Sequence, residues 1–348
     1  MKRDWILTAL VIVCFFLYFV PRSQSSSTSY TIRKEICKPS NANQSLNLLI
    51  HGTSVSNLLL QTPQASNSSL LLILVISTAS NAQERNEIRR LWASPLQSKS
   101  INNNEVQVVF VLGSSDNYNA DIRRENEEHG DILQAIVTES YKNLVYKELI
   151  SFYWATSFSK ASRILKVDAD TVVHIDRFLL QMAYADDSSG REESIGCFHA
   201  APGRPDRNTC SPWYVSQNDF SQSEFPLYCS GPGYTMKRTT LEKILQGAKS
   251  KKVIEVEDVF ITGIAASSAS VPIKCLDRIF GGGFSTYSEC QSGIPLLSVL
   301  PSHYQLSRAK RSLHSLPLAW DALKKPKCFN WRTRFLTSLT VPLRCTLK

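Results

Sequence analysis

The sequence predicts an α/β fold, a mainly parallel sheet flanked by helices, preceded by a single transmembrane anchor and a polar stem. Strand-length apolar runs alternate with helical stretches, and each buried run ends in a polar turn. Only one apolar run, close to the amino terminus, approaches the length needed to cross a bilayer.

Residues 1–4, Met-Lys-Arg-Asp, form a short basic tail, and residues 5–20 an apolar run broken only by Thr8 and stopped by Pro21. As a helix that run is about 24 Å long, short for a plasma membrane but tolerable in a thin early-secretory bilayer. Lys2 and Arg3 would hold the short end in the cytosol, placing everything after residue 21 in the lumen as a type II signal anchor. The other reading is a cleaved signal peptide, for which the Ser-rich residues 23–29 offer a site. Phe15, Phe16, Tyr18 and Phe19 at the end of the run suit an anchor better. Residues 21–66, rich in Ser, Asn, Gln and Thr, read as a stem. The folded luminal domain is expected over 67–348.

Leu70 to Ile76 opens that domain as a continuous apolar strand, followed by a polar turn at 77–81 and a charged helix over 83–92. A strand at 106–112 ends in Gly113-Ser-Ser and leads to a polar helix around 118–128. Apolar runs at 132–137 and 163–167 bracket a helix over about 143–158. In parallel α/β sheets ligands sit at the carboxyl ends of strands, so the turns at 77–81, 113–116 and 168–171 are where chemistry is expected.

Composition narrows the class. Of 348 residues 43% are apolar and 20% charged, enough for a sizeable core and too polar for a multi-span membrane protein. The net charge of +9 is scattered along the chain, so no nucleic-acid footprint is evident. Of nine cysteines Cys14 lies in the apolar run, leaving an even eight with no CxxC spacing, which favours disulfides in an oxidising lumen over a zinc site. Their pairing is open. Asn43-Gln-Ser and Asn67-Ser-Ser are N-glycosylation sequons, expected ahead of the folded region.

Asp168-Ala169-Asp170 follows the strand Ile164-Leu-Lys-Val167 directly, and extended backbone would send both carboxylates to one side. Hard divalent cations such as Mn²⁺ or Mg²⁺ bind through one or two such carboxylates together with substrate phosphates. Asp is also a turn and cap residue, so the pair alone leaves both readings open. Glu257-Asp258 begins an apolar helical stretch to Ala266: either helix-end electrostatics, or a general base able to take a proton from an attacking hydroxyl. Tyr228-Cys-Ser-Gly231-Pro-Gly233-Tyr234 reads as a tight turn or as a close backbone approach beside aromatic sugar platforms.

Taken in order, the motifs resemble the β1,3-galactosyltransferase-like family, inverting glycosyltransferases of the Golgi with a GT-A fold (glycosyltransferase family 31). The matching segments are 71–77 with Glu84–Trp92, Val109–Gly113, Glu125–Leu133, Tyr141–Leu149, Lys166–Val173, Tyr228–Tyr234 and Glu257–Val259, spanning about residues 70–277. The resemblance implies a nucleotide-sugar-binding sheet, Mn²⁺ as cofactor, a UDP-sugar donor and a glycan acceptor on glycoprotein, proteoglycan or glycolipid. It implies Asp170 and Asp168 at the metal, with Asp170 the direct ligand, and Asp258 as catalytic base. Arg85, Arg89, Lys147 and Asp168 fall on positions near the nucleotide. Tyr228, Gly231, Gly233, Tyr234 and Glu257 fall on positions lining the sugar and acceptor pocket. Three departures stand out: Ala169 occupies the middle of the acidic triplet, Arg90-Leu91-Trp92 stands where the family's Arg-x-Thr-Trp has a threonine, and Lys147-Glu148-Leu149 replaces the family's Lys-Thr-Leu. The expected protein is a single-pass type II Golgi membrane enzyme making a β1,3 linkage; the alternative is a catalytically silent glycan-binding protein or chaperone of the same fold.

Overall fold

Six consecutive apolar residues, Leu71–Ile76, are all buried, and their neighbours explain why no polar alternation is needed. The computed structural model describes residues 53–64, 66–189, 193–197, 200–276, 280–281, 298–299 and 315–324. The expected tail 1–4, anchor 5–20, Asn43 and most of the stem lie outside the described residues. Among the described residues no helix is long and apolar enough to cross a membrane.

The main sheet has eight strands in the order β1 (Leu59–Gln61), β4 (Ile132–Thr138), β3 (Val106–Ser114), β2 (Leu71–Ile76), β5 (Arg163–Asp168), β10 (Gly233–Lys237), β7 (Ile195–Cys197) and β11 (Ile273–Cys275). β1 runs antiparallel to β4, and β10 antiparallel to β5 and β7; the other pairings are parallel. β6 (Val172–Val173) joins β12 (Phe280–Gly281) and β13 (Ser298–Val299) in a small sheet, and β8 (Ala200–Ala201) pairs with β9 (Tyr228–Cys229). The helices are α1 (Ala82–Arg90), α2 (Lys99–Asn102), α3 (Asn119–His129), α4 (Leu144–Phe158), α5 (Ile175–Ser189), α6 (Arg238–Lys249), α7 (Ala266–Ser268) and α8 (Ser315–Lys324). A π-helical stretch, Val259–Ala265, runs into α7.

Alternation along β2 feeds two cores. Leu72, Leu74 and Ile76 pack with α4, α6 and the π-helical stretch, while Leu71, Ile73 and Val75 pack with Ile88 and Trp92 near α1, Phe178 of α5 and Trp320 of α8. A strand covered on both faces reads as a continuous hydrophobic run, as this one does.

The amino-terminal boundary needs correction. Leu58 is fully buried and β1 pairs with β4, so the folded region begins before residue 67. Asn67, expected ahead of the fold, lies within it, exposed, its Oδ1 accepting from Lys160 Nζ at 3.0 Å. Three residues of a half-exposed edge strand carry too little pattern to stand out from a polar stem.

Candidate active site

The site is built where β2 and β5 leave the sheet. Ile76 pairs with Asp168, so the exits of the two strands lie side by side. The extended backbone stops at Asp168: residues 169–170 form a turn closed by Thr171 N–H to Asp168 O at 3.0 Å. The alternation expected to send Asp168 and Asp170 to one side therefore does not apply, because Asp170 is reached through a turn. Ala169 between them is buried in the core under β5. A small apolar middle residue fits there.

The loop from Cys229 to Gly233 lies across this exit. Asp168 N–H and the Thr171 hydroxyl both donate to Pro232 O, at 3.2 and 3.1 Å. A disulfide between Cys197 and Cys229 ties the loop to β7, and Cys210 is also disulfide-bonded. On its other side the loop meets Glu257 and Asp258. Gly231 N–H donates to Asp258 Oδ2 at 3.1 Å, and a Cβ at Gly231 would come within 3.1 Å of Glu257 Oε1. A larger residue there would have to push the Glu257 carboxylate aside by a few tenths of an ångström. Asp258 Oδ1 accepts from Val259 N–H at 2.8 Å, capping the π-helical stretch, so the helix-end reading of this carboxylate holds alongside any chemical one. π-helical turns concentrate at functional sites.

Beneath the loop lies Lys166, fully buried in the middle of β5. Its Nζ donates to Asp168 Oδ1 at 2.8 Å and to Gly231 O at 2.6 Å, stands 3.8 Å from Glu148 Oε1, and lies 5.5 Å from the centre of the Tyr234 ring. Glu148, also fully buried, accepts from the Tyr234 hydroxyl. A buried ammonium must be paired, and this one is, so it also fixes the strand end and the loop relative to each other.

Electrostatics follow from burial and crowding. Burial alone would lower the Lys166 pKa, but Asp168 and Glu148 outweigh it and keep the ammonium charged. Burial, reinforced by Asp258 and Glu148, pushes the Glu257 carboxyl up to about 8 against the pull of Lys166. Asp258 is raised too, chiefly by burial, while the Val259 and Gly231 N–H groups draw it back. Of two carboxyls crowded together, the one that accepts N–H groups is the more acidic. Asp258 is also the less buried of the pair.

The structure brings Asp168, Tyr228, Gly231, Gly233, Tyr234, Glu257 and Asp258 into one constellation. The three basic residues near the expected nucleotide are placed differently. Arg85 is fully buried; its Nε donates to Glu125 at 2.8 Å and Nη1 to Thr78 O at 2.6 Å, so it holds the turn after β2. Arg89 pairs with Asp131 at 2.7 Å and with Glu125 at 2.8 Å, its guanidinium over the Phe110 ring. Lys147 donates to Ser77 O at 2.8 Å and to Glu139 Oε1 at 2.7 Å, and Glu139 Oε2 accepts from Gly113 N–H at 2.7 Å. Lys147 thus ties together the ends of β2, β3 and β4.

Sequence reasoning missed Lys166 and Glu148 as members of the site. One signal was present: a lysine within an otherwise apolar strand has to find buried anions. The oxygen-only donors Asp168 and Asp170 fit a hard divalent cation, Asp168 keeping a side chain 37% exposed at the strand end. Among the described residues no group of three or more His, Cys, Asp or Glu stands close enough together to hold a metal ion by itself.

A family model described as Galactosyltransferase matches residues 83–277, more than half of the chain, and the chain belongs to this family. It is 28% identical over 224 residues to beta-1,3-galactosyltransferase bre-2 of Caenorhabditis elegans, covering 61% of each protein. It is 27% identical over 198 residues to human beta-1,3-galactosyltransferase 1, covering 56% of this chain and 59% of that protein. The chain thus spans about three fifths of the length of these relatives. Among solved structures, a glycosyltransferase involved in glycosylation of the major capsid of PBCV-1 aligns at 13% identity and TM-score 0.36, over 71% of this chain and 98% of that one. Mouse xyloside xylosyltransferase 1 aligns at 10% identity and TM-score 0.31, over 63% and 88%.

Proposed function

We propose that this protein is an inverting hexosyltransferase of GT-A type that moves galactose or an N-acetylhexosamine from a UDP-sugar to a hydroxyl of a glycan, forming a β1,3 linkage. Its setting is the Golgi membrane, single-pass type II, with the domain in the lumen. The observation that carries this reading is the convergence of Asp258, Gly231 and Asp168 across one loop, a base on one side and a strand-end carboxylate on the other.

Asp258 accepts the proton of the acceptor hydroxyl as that oxygen attacks the anomeric carbon, and Glu257 beside it holds its own proton near neutral pH. Lys166 fixes Asp168 and the Gly231 carbonyl so that the base and the donor end keep their separation. Asp170 and Asp168 would hold Mn²⁺, which when bound neutralises charge on the departing diphosphate. A single displacement inverts configuration and needs no enzyme nucleophile.

The test is a donor screen, in which the luminal domain is incubated with Mn²⁺ and each UDP-sugar over a glycan panel. Asp258→Asn should then lower turnover by roughly 10²- to 10⁴-fold. Asn cannot accept both N–H groups, so a modest fall in thermal midpoint should accompany it. Near-parental turnover would remove Asp258 as base and move attention to Glu257.

A further inference from the structure

Trp213 and Tyr141 are an unexplained pair of exposed rings, with Tyr141 within electrostatic reach of Glu257, Asp258 and Asp168. They are 72 residues apart in sequence, yet Trp213 Nε1–H donates to Tyr141 Oη at 2.8 Å, and they remain 56% and 50% exposed. An indole in water is usually a cost, and here neither ring is covered by the core.

Both are held in place. Tyr141 begins the 3₁₀ turn Tyr141–Asn143 at the exit of β4, two residues after Glu139, the carboxylate that binds Lys147 and Gly113. Trp213 sits on the segment between β8 and β9, which is built around Arg207. That guanidinium donates to Val215 O at 2.8 Å and to Phe220 O at 2.7 Å. With the indole N–H engaged by the Tyr141 hydroxyl, the exposed side chain of Trp213 has only aromatic carbon left to offer.

We propose that Trp213 and Tyr141 form a stacking platform for a neutral sugar ring of the acceptor glycan, seated beside the Glu257 and Asp258 carboxylates. A pyranose presents C–H bonds on one face and hydroxyls around its edge, so it can lie on a π face while its edge turns to the carboxylates. An anionic ligand is disfavoured at this place. Burial pushes the Tyr141 phenol up to about 12, and Glu257, Asp258 and Asp168 add to that by opposing a negative charge. The inference rests on the transferase reading for calling the sugar an acceptor; the platform itself rests on the two rings.

The experiment uses the full chain with methyl β-galactoside, methyl β-N-acetylglucosaminide and methyl β-N-acetylgalactosaminide in saturation-transfer NMR, and UDP with Mn²⁺ in calorimetry. Parent protein should take at least one sugar, with transfer strongest to the C–H protons of one ring face. Trp213→Ala and Tyr141→Ala should each weaken that binding by roughly tenfold or more. Tyr141→Phe keeps the ring and loses only the hydrogen bond, so it should stay within about threefold of parent. UDP affinity should be unchanged in all three variants. Sugar binding by Trp213→Ala equal to parent, or no sugar bound by parent, overturns the platform. Loss of UDP binding in Trp213→Ala overturns it as well, placing the indole under the nucleotide base. A parent that ignores UDP with Mn²⁺ but loses its sugar with Trp213→Ala supports the platform and sinks the transferase reading.

Discussion

β2 and β5 are adjacent, parallel, six residues long and paired in register from Leu71 opposite Arg163 to Ile76 opposite Asp168. β2 is hydrocarbon throughout, while β5 sets the ammonium of Lys166, at 0% exposure, directly beside Leu74. Their other neighbours account for the difference. β2 has β3 on its far side, whereas β5 has the antiparallel β10, whose approach loop brings Gly231 O to within 2.6 Å of the ammonium. A well-packed apolar residue would serve stability at least as well as a buried ion pair. The charge in β5 is therefore explained by what it positions, Asp168 and the Gly231 carbonyl, at the seam between β5 and β10.

The largest expected effect comes from breaking that charge set on one side. Lys166→Met takes from buried Glu148 the ammonium 3.8 Å away, and removing one partner of a buried pair costs about 3 to 5 kcal/mol. Asp168 contributes less, being 37% exposed and able to draw on water. Adding Glu148→Leu should recover most of the loss, although Tyr234 then loses its acceptor. Urea unfolding of the two variants and their parent checks this. If the double variant is as unstable as the single one, Lys166 is supported by something other than Glu148 and the contrast with β2 has been misread.

A smaller effect concerns pH. Glu257 has an ordinary value of 4.5 and is raised to about 8 in the fold, so the folded state binds its proton more tightly than the unfolded chain does. Its contribution is complete below about 4.5 and is lost as pH rises toward 8. Glu148 and Asp258, both raised by burial, add in the same direction. The thermal midpoint should fall by several degrees between pH 5 and 8, where about 1 kcal/mol is worth roughly 2 to 4 °C in a domain of this size. Glu257→Gln should flatten the fall. An equally steep fall in that variant would assign the effect to the other carboxyls.

The same contrast separates what the sequence made legible from what it did not. β2, β3, β4 and the helices α1, α3 and α4 were readable because strands covered on both faces must be apolar, and polar turns mark their ends. The turn at Gly231 and the acidic pair at Glu257 were readable as local chemistry. β10 was not seen as a strand antiparallel to β5, since Gly233 to Lys237 reads as the tail of a turn, and β1 was hidden in a polar stretch. Glu148 was visible only as a departure from a family pattern. Its meeting with Lys166, 18 residues on, depends on α4 lying over the face of β5 that Lys166 shares with Ile164. Arg85 and Arg89, carried over as positions near the nucleotide, have partners that the motif did not reveal, Glu125 and Asp131.

The smallest expected effect is on the apolar side of the comparison. Ile73 is fully buried in β2, opposite Val108 and Leu165, and its side chain enters the core that holds Ile88 and Trp92. Ile73→Val deletes one methylene and keeps the β-branch that suits a strand, so it should cost about 0.5 to 1.5 kcal/mol by lost transfer energy and a small void. Lys166, which holds Asp168 and the Gly231 carbonyl, lies on the opposite face of the sheet with Ile164, so KM and turnover should stay near parental values while the urea midpoint falls slightly. Should turnover drop out of proportion to stability, the two faces of the sheet are mechanically coupled. β2 would then have to be counted with β5 as part of the site's support.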